Sequence, residues 1–291
     1  MSETLDEYIQ TKTSFITDIE EVVDILYDMG SVFLYDTSAI SSHELVFQQI
    51  NDLTFHKYTQ GFPILLTDTI AKEMRLVEDV EHRYLTYLSH FDKVLYIKEE
   101  NLIDLLKTDY ELGSARSKFL IASERAFRSI QRLKEQVKAA KQRFSQSEKI
   151  IYQAFDSFFQ ESTNANRGEL SLLWVAAIIE QLPGKTTVSF VGMDHDLYDF
   201  VERSYFSTTN FSPFSNDIVL LSNDTLLQSC YRINVDKEAL AKLIPIFRKP
   251  DRKTRYFRKI NKVLNLNQQK EKMDNREFEQ LVINDEIEIL Y

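Results

Sequence analysis

Four acidic residues sit where a carboxylate is either structurally costly or chemically useful. Asp36 follows the apolar run Val32-Phe33-Leu34-Tyr35 and precedes two hydroxyls, Thr37 and Ser38. Glu73 lies within about two helical turns of the run Ile64-Leu65-Leu66-Thr67, a spacing that places it early on the following helix. Glu169 opens the apolar stretch Leu170–Leu182, and Asp194, with His195 and Asp196 behind it, follows Thr187–Val191. A carboxylate at the end of a buried strand costs free energy unless a cation or a donor meets it. Oxygen donors without a cysteine or histidine cluster suit Mg²⁺ or Mn²⁺. Several carboxylates held together repel one another, so such a cluster implies bound cations, and paired metal ions in carboxylate sites activate water and stabilise the leaving oxygen of a phosphodiester. Each residue also has a plainer role. Asp36 suits a helix cap, and Glu73 and Glu169 suit the first turns of helices, where the macrodipole favours acids. Asp194 has rivals in Asp196 and Asp224, and His195 suits a hydrogen-bonded turn.

The elements that must position these acids alternate between strand and helix. Thr17 with Glu20 reads as a capping box, followed by Ile19, Val22, Val23 and Leu26 at helical spacing, and Gly30 ends that helix. The runs Val32–Tyr35, Ile64–Thr67, Thr187–Val191 and Ile218–Ser222 are continuous and apolar, as expected for strands of a parallel sheet covered on both faces. Helices are expected after each: around Leu45–Ile50, over Ile70–Met74, over Leu197–Tyr205 and over Leu226–Tyr231. Alternation of this kind predicts an α/β fold with a central parallel sheet, and in such folds sites form beyond the carboxyl ends of the strands.

Composition bounds the function. The 291 residues are 43% hydrophobic and 27% charged, as in an ordinary globular protein with a sizeable core. Only six glycines and five prolines argue for long helices and short connections. The single cysteine, Cys230, excludes an intrachain disulfide and a cysteine-cluster metal site, and is expected as a small buried residue in a reduced compartment. The stretch Met1–Gly30 is charged throughout, and no apolar run suits a membrane span, so a cytoplasmic protein without membrane association is expected. A net charge of −10 argues weakly against a protein coated in nucleic acid, although a total says nothing about distribution.

Two basic regions offset that total. From Glu78 to about Gln160 the sequence predicts mostly helix, with Ile130, Val137, Phe144, Ile151 and Phe158 at a seven-residue step forming one apolar stripe on a long helix or a helical hairpin. Its other faces carry Arg125, Arg128 and Arg132 among many cations, which read either as a solvated surface or as a phosphate-gripping arm. The segment Lys242–Lys262 is the most basic in the chain and includes Arg252, Lys253, Arg255 and Arg258, with Tyr256 and Phe257 as candidates for stacking on bases or for core packing. Trp174 reads as core.

The order of the acids resembles the PIN-like family of metal-dependent nucleases. The resemblance rests on Asp36-Thr37-Ser38 after a first strand, Glu73 on the helix after the second, Glu169 seven residues before Ala176, Asp194-His195-Asp196 after Val191, and a closing strand Ile218–Ser222 with Asn223-Asp224-Thr225-Leu226-Leu227. It covers roughly residues 31–80 and 165–230. It implies a three-layer α/β/α fold and a ribonuclease in which Asp36, Glu73, Glu169 and Asp194 hold Mg²⁺ or Mn²⁺, with Asp196 as an extra or substitute ligand. Thr37 or Ser38 would orient a water or a carboxylate, and an activated water would attack in line to leave a 5′-phosphate and a 3′-hydroxyl. The third acid of the family is usually Asp, whereas Glu169 stands here, and the helical insertion at about 80–165 is long for the compact toxin members. The organisation implied is a helical extension over 1–30, the PIN-like domain over 31–232 and a basic extension over 233–291. Arg125, Arg128, Arg132, Arg252, Lys253, Arg255 and Arg258 would hold the strand, and a homo-oligomer or a regulatory protein is a further candidate partner. The alternatives are a non-catalytic RNA- or protein-binding module of the same fold, and a nuclease for single-stranded or flap DNA.

Overall fold

Every apolar run expected as a strand takes its place in one six-stranded sheet. The computed structural model describes residue 9 and residues 14–50, 61–74, 76, 82–161, 166–205, 217–234 and 236–291. The sequence reads as a polar linker over Ser162–Gly168; its residues 162–165 lie outside the described ones, and from Arg167 it is already helix. The strands are β1 (Phe15–Ile16), β2 (Ser31–Tyr35), β3 (Ile64–Thr67), β4 (Val94–Ile97), β5 (Thr187–Val191) and β6 (Ile218–Leu221), in the order β1-β4-β3-β2-β5-β6, with every neighbouring pair parallel. Helices flank the sheet in a three-layer α/β/α arrangement. Strands β3 and β4 are buried along their whole length and β2 and β5 at all but their first residue, which is why these strands read as unbroken apolar runs rather than alternating ones.

The helices used below are α1 (Ile19–Met29), α2 (Thr37–Ile50), α3 (Asp68–Glu73), α4 (His82–Leu88), α5 (Leu102–Lys107), α6 (Leu112–Ala126), α7 (Gln131–Gln142), α8 (Ser147–Glu161), α9 (Arg167–Ile179), α10 (His195–Tyr205), α11 (Asn223–Asn234) and α12 (Lys237–Phe247). The cap of α1 is Asp18 rather than Thr17: the Asp18 carboxylate accepts from the Glu21 amide at 3.0 Å, while Gly30, at φ 59°, ends the helix as expected.

The region expected as mostly helix also holds a strand: Val94–Ile97 is β4, buried and paired on both sides in the sheet. The seven-residue stripe takes the hairpin form of the two expected: the helix stops at Gln142 and restarts at Ser147 through a short 3₁₀ turn, and α7 packs against α8. Val137 and Ile151 are buried, but Phe144 falls in the break and is 39% exposed. The insertion packs on α9 through Trp174, which is fully buried. Phe119, Phe127, Tyr152 and Phe155 surround it with ring centroids 5.6, 5.0, 5.6 and 5.1 Å away. Its indole N–H donates to Ser123 Oγ at 2.9 Å, which satisfies the one polar atom the cluster would otherwise strand. Helix α9 is apolar on nearly all faces because it is buried on nearly all faces.

Both ends of the described chain are more structured than expected. The segment before residue 31 supplies β1 as well as α1. Residues 253–291 form a second, antiparallel sheet from β7 (Lys253–Ile260), β8 (Val263–Lys272) and β9 (Ile287–Ile289), with α13 (Asn275–Ile283) between the last two. Tyr256 and Phe257 are core residues of this sheet, 0% and 2% exposed, so they are not available for stacking on bases. Cys230 is half-buried in α11.

Arg248 and Asp224 join the second sheet to the first. Both side chains are fully buried, with Arg248 Nε 3.3 Å from Asp224 Oδ1. Thr254 Oγ1 donates to Asp224 Oδ2 at 2.6 Å, and the guanidinium lies 4.6 Å from the Phe278 ring centre. Removing one member of such a pair leaves a buried charge without its partner. Asp224→Ala is therefore expected to lower the unfolding free energy by about 3–5 kcal/mol in a urea titration. A loss under about 1 kcal/mol would mean that the pair contributes little.

Candidate active site at the carboxyl edge of the sheet

Strand β2 is where the connection order of the sheet reverses. From β2 the chain passes to β3 and β4 on one side, then returns to place β5 and β6 on the other. The loops after β2 and β5 therefore part in opposite directions and leave a crevice, the usual location of ligands in open parallel sheets. Asp36 and Asp194 stand at its two lips. The Asp36 amide donates to the Val191 carbonyl at 2.8 Å, so the β2–β5 ladder carries Asp36 to the foot of the loop that bears Asp194.

Asp36 is 4% exposed and its carboxylate is fixed from within its own turn. Ser38 supplies two donors to Asp36 Oδ2, its hydroxyl and, at 3.3 Å, its amide. The Ser38 hydroxyl also accepts from the Met193 amide at 3.1 Å, which ties the Asp36 turn to the Asp194 loop. Thr37 works on the other side, donating to Glu73 Oε2 at 2.8 Å. Glu73 Oε1 accepts from the Gly168 amide at 3.1 Å, one residue before Glu169. A Cβ at position 168 would come within 2.7 Å of Glu73 Oε2, so glycine there leaves room for the carboxylate. The two hydroxyls expected to orient groups in the site each hold a different acid.

The electrostatics show that the four acids share one field. Asp36 has its carboxyl pushed above the ordinary range, first by burial and then by the charge of Asp194, while the Ser38 donors oppose the shift. Glu73 is raised by loss of water and by Asp36, and lowered by Thr37, Gly168 and Arg167. Glu169 is pushed up to about 7, first by burial and then by Asp36, Glu73 and Asp194. Asp194 itself is exposed at the mouth, and Asp196 is exposed in the first turn of α10. Among the described residues no three His, Cys, Asp or Glu side chains are drawn into a closed ligand group. The acids face one another across the crevice at a range where their charges are felt without forming a cage. Their chemistry, hard oxygen donors partly withdrawn from water, fits a divalent ion such as Mg²⁺ or Mn²⁺ better than any softer metal.

Several residues that shape the site escape a reading of the sequence. Glu99, just beyond β4, is 7% exposed and is pushed up to about 8 by burial and by its contact with Asp68. Asp68 in turn is held down by Glu99 and by Lys72, whose ammonium lies 2.6 Å away, so Glu99 carries the proton and Asp68 the charge. Ser171 Oγ donates to Glu99 and lies 2.7 Å from Thr67 Oγ1, whose hydroxyl can donate to it, and Arg167 Nε lies 3.3 Å from Thr69 Oγ1. This buried network locks α3, which carries Glu73, against α9, which carries Glu169. Tyr291, in the second sheet, donates from its hydroxyl to the Asp194 carbonyl at 2.9 Å. Gly192 makes room for that hydroxyl, since a Cβ there would meet it at 2.9 Å. The alternation of Ile287, Glu288 and Ile289 marks a strand before Tyr291, but nothing in the sequence marks where that strand leads.

The candidate strand-binding cations are unequally free. Arg125 is paired with Glu180, and Arg255 with Asp199 while lying 4.3 Å from the Tyr198 ring centre. Both therefore serve the fold. Arg128, Arg132, Lys253 and Arg258 are exposed, the last with Nε 3.2 Å from Gln269 Oε1. Arg252 lies between the sheets. No helix among the described residues is long and apolar enough to cross a membrane. Compared with protein-family models, with curated proteins and with solved structures, the chain matches none.

The raised Glu169 has a consequence for stability. Between its ordinary pKa of 4.5 and about 7 the folded protein holds a proton that the unfolded chain releases, so this group's contribution to stability declines as pH rises through that window. In chelator, Glu169→Gln is expected to raise the melting temperature at pH 8 and to leave it unchanged at pH 4.5, checked by differential scanning calorimetry at both values. An equal change at the two pH values would contradict the assignment.

Proposed function

We propose that the protein is a metal-dependent endonuclease of PIN-like type, acting on RNA. The observation that carries this reading is the convergence of three acids at the switch point of a parallel sheet, each raised first by burial and then by a neighbouring acid: Asp36 by Asp194, Glu73 by Asp36, and Glu169 by Asp36, Glu73 and Asp194. Acids so placed have a use for positive charge and none for one another. The order of the four along the chain adds support, because it is the order in which the family's acids occur.

In this reading Asp36, Glu73, Glu169 and Asp194 would hold Mg²⁺ or Mn²⁺, with Asp196 at the rim as a further oxygen donor. When bound, the ion would supply an activated water and charge stabilisation for the departing oxygen. The chain's own groups do the rest. Ser38 fixes the Asp36 carboxylate, Thr37 and the Gly168 amide fix Glu73, and the partial burial of Glu169 keeps competing water from one side of the crevice. Glu169, at about 7, can accept or release a proton near neutrality. Lys253 and Arg258, exposed on the second sheet, and Arg128 and Arg132, exposed on the insertion, are suited to the backbone of a nucleic acid strand. The chain's third acid, Glu169 instead of Asp, stands in the first turn of a helix that the Gly168 amide ties to Glu73.

The test is cleavage of a labelled single-stranded RNA with Mg²⁺ or Mn²⁺, alongside a DNA strand of the same sequence at one salt concentration. Native protein is expected to cut the RNA and Asp36→Asn to lose about a thousandfold or more in rate while keeping its melting temperature, a loss on the scale of removing a principal electrostatic contribution. Preference for the DNA strand would transfer the chemistry to a single-strand DNA nuclease. RNA binding without cleavage by either metal would leave the non-catalytic module.

A further inference from the structure

Asp224 faces more positive charge than one carboxylate neutralises. Arg248 Nε and Thr254 Oγ1 already engage its Oδ2, at 3.4 and 2.6 Å. A second guanidinium, Arg252, comes no closer than 3.6 Å to Oδ1. Arg252 Nε faces Asp224 Oδ1, which is itself without a hydrogen bond, whereas Arg252 Nη2 has no hydrogen-bond partner, and 14% of the side chain remains open to solvent. Donors left unmet in this way are costly, and an arginine so placed calls for an acceptor. The Arg252 guanidinium lies 5.8 Å from the centre of the Tyr291 ring, whose hydroxyl reaches the Asp194 carbonyl. One aromatic ring thus separates the surplus cation from the carboxylate crevice.

Beside it stands a second cation, Lys270, which is exposed and lies across the β7–β8 ladder from Arg255, itself committed to Asp199. His195, on which the charges of Lys270 and Arg252 both bear, sets Nε2 2.9 Å from the Lys253 carbonyl. That makes Nε2 the donor and leaves Nδ1 an acceptor without a partner, so the histidine adds no positive charge. Arg252 and Lys270 therefore form a positive lip beside a negative centre.

We propose that this lip is an anion subsite for a phosphate group of a nucleic acid strand, adjoining the carboxylates. The proposal rests on the nuclease reading and deepens it. Four carboxylates repel every phosphate except the one a cation engages, so a strand crossing them needs a separate cation to hold the next phosphate along. A guanidinium is suited to this, because its fork offers paired donors to phosphate oxygens. The phosphate could be internal to the strand or at its 5′ end, and both present the same oxygens.

The experiment is fluorescence anisotropy in EDTA, so that nothing is cleaved, with a short single-stranded RNA labelled at its 3′ end, with and without a 5′-phosphate. Native protein, Arg252→Gln and Arg252→Lys are compared, with melting temperature as the control for folding. Arg252→Gln is expected to weaken binding about tenfold, with Arg252→Lys intermediate, and to reduce the slope of log affinity against log salt by about one. Equal weakening of both RNAs assigns an internal phosphate, and loss confined to the 5′-phosphorylated strand assigns a terminal one. If Arg252→Gln binds both strands within about twofold of native protein, with the same salt slope, the subsite is overturned and Arg252 is only a partner of Asp224. If native protein binds neither strand, the subsite is also overturned, and metal-dependent cleavage by native protein then decides the nuclease reading on its own.

Discussion

The structure depends on the placement of like charges at one edge of a parallel sheet. Parallel strands all point their carboxyl ends the same way, and the reversal of connection order at β2 opens a crevice there. Into that crevice the chain delivers Asp36 and Asp194 from strand ends, and Glu73 and Glu169 from the helices α3 and α9. Burial, and then the charge of neighbouring acids, oppose the ionisation of Asp36, Glu73 and Glu169. A fold tolerates such an arrangement only with local compensation, and here it comes from short, specific donors: Ser38 to Asp36, Thr37 and the Gly168 amide to Glu73. These bonds hold the carboxylates in place without neutralising them, which leaves their charge available for a ligand.

Around this centre two further sets of interactions keep the walls from moving apart. On one side the Glu99–Asp68–Lys72 contacts, with Ser171 bridging Glu99 and Thr67, join the second and third acid-bearing helices through a network in which each buried oxygen has a use. On the other side the antiparallel sheet of β7, β8 and β9 reaches back to the Asp194 loop through Tyr291 and is anchored by Arg248 on Asp224. The second sheet is thus a wall of the crevice. The helical insertion contributes differently: its aromatic cluster around Trp174 braces the far part of α9, and several of its cations, Arg116 and Lys141 among them, are tied to Glu148 and Glu124.

The central sheet was legible in the sequence where burial on both faces left an unambiguous mark. Ser31–Tyr35, Ile64–Thr67, Thr187–Val191 and Ile218–Leu221 are short, apolar and followed by helix-starting polar residues, and the acids that follow them could be placed at one edge from that pattern alone. Val94–Ile97 has the same apolar character but stands amid charged, helix-favouring sequence, and the helical period on either side hid it. Phe15–Ile16 is too short to carry any period. In the second sheet, Lys253–Ile260 alternates poorly because Arg255 is buried against Asp199 and contributes a charge where an apolar residue would be expected. Tyr291 reaches the site through a tertiary contact with no local signature, whereas Arg252 stands in a basic run that marks it in the sequence. The regular stripe through Phe144 shows the converse: its period suits a long helix or a hairpin equally, and only packing decides for the turn at Phe144–Gln146.

The most direct measurement of the central claim is calorimetric titration of Mn²⁺ into the native protein near pH 6.5, repeated in buffers of different ionisation enthalpy. If the four acids are the proposed ion site, Mn²⁺ binds saturably and displaces the proton held by Glu169, so the observed heat varies with the buffer; proton release and tight binding both disappear in Asp36→Asn. Absence of saturable binding, or binding that is unchanged in Asp36→Asn and independent of buffer, would contradict the account.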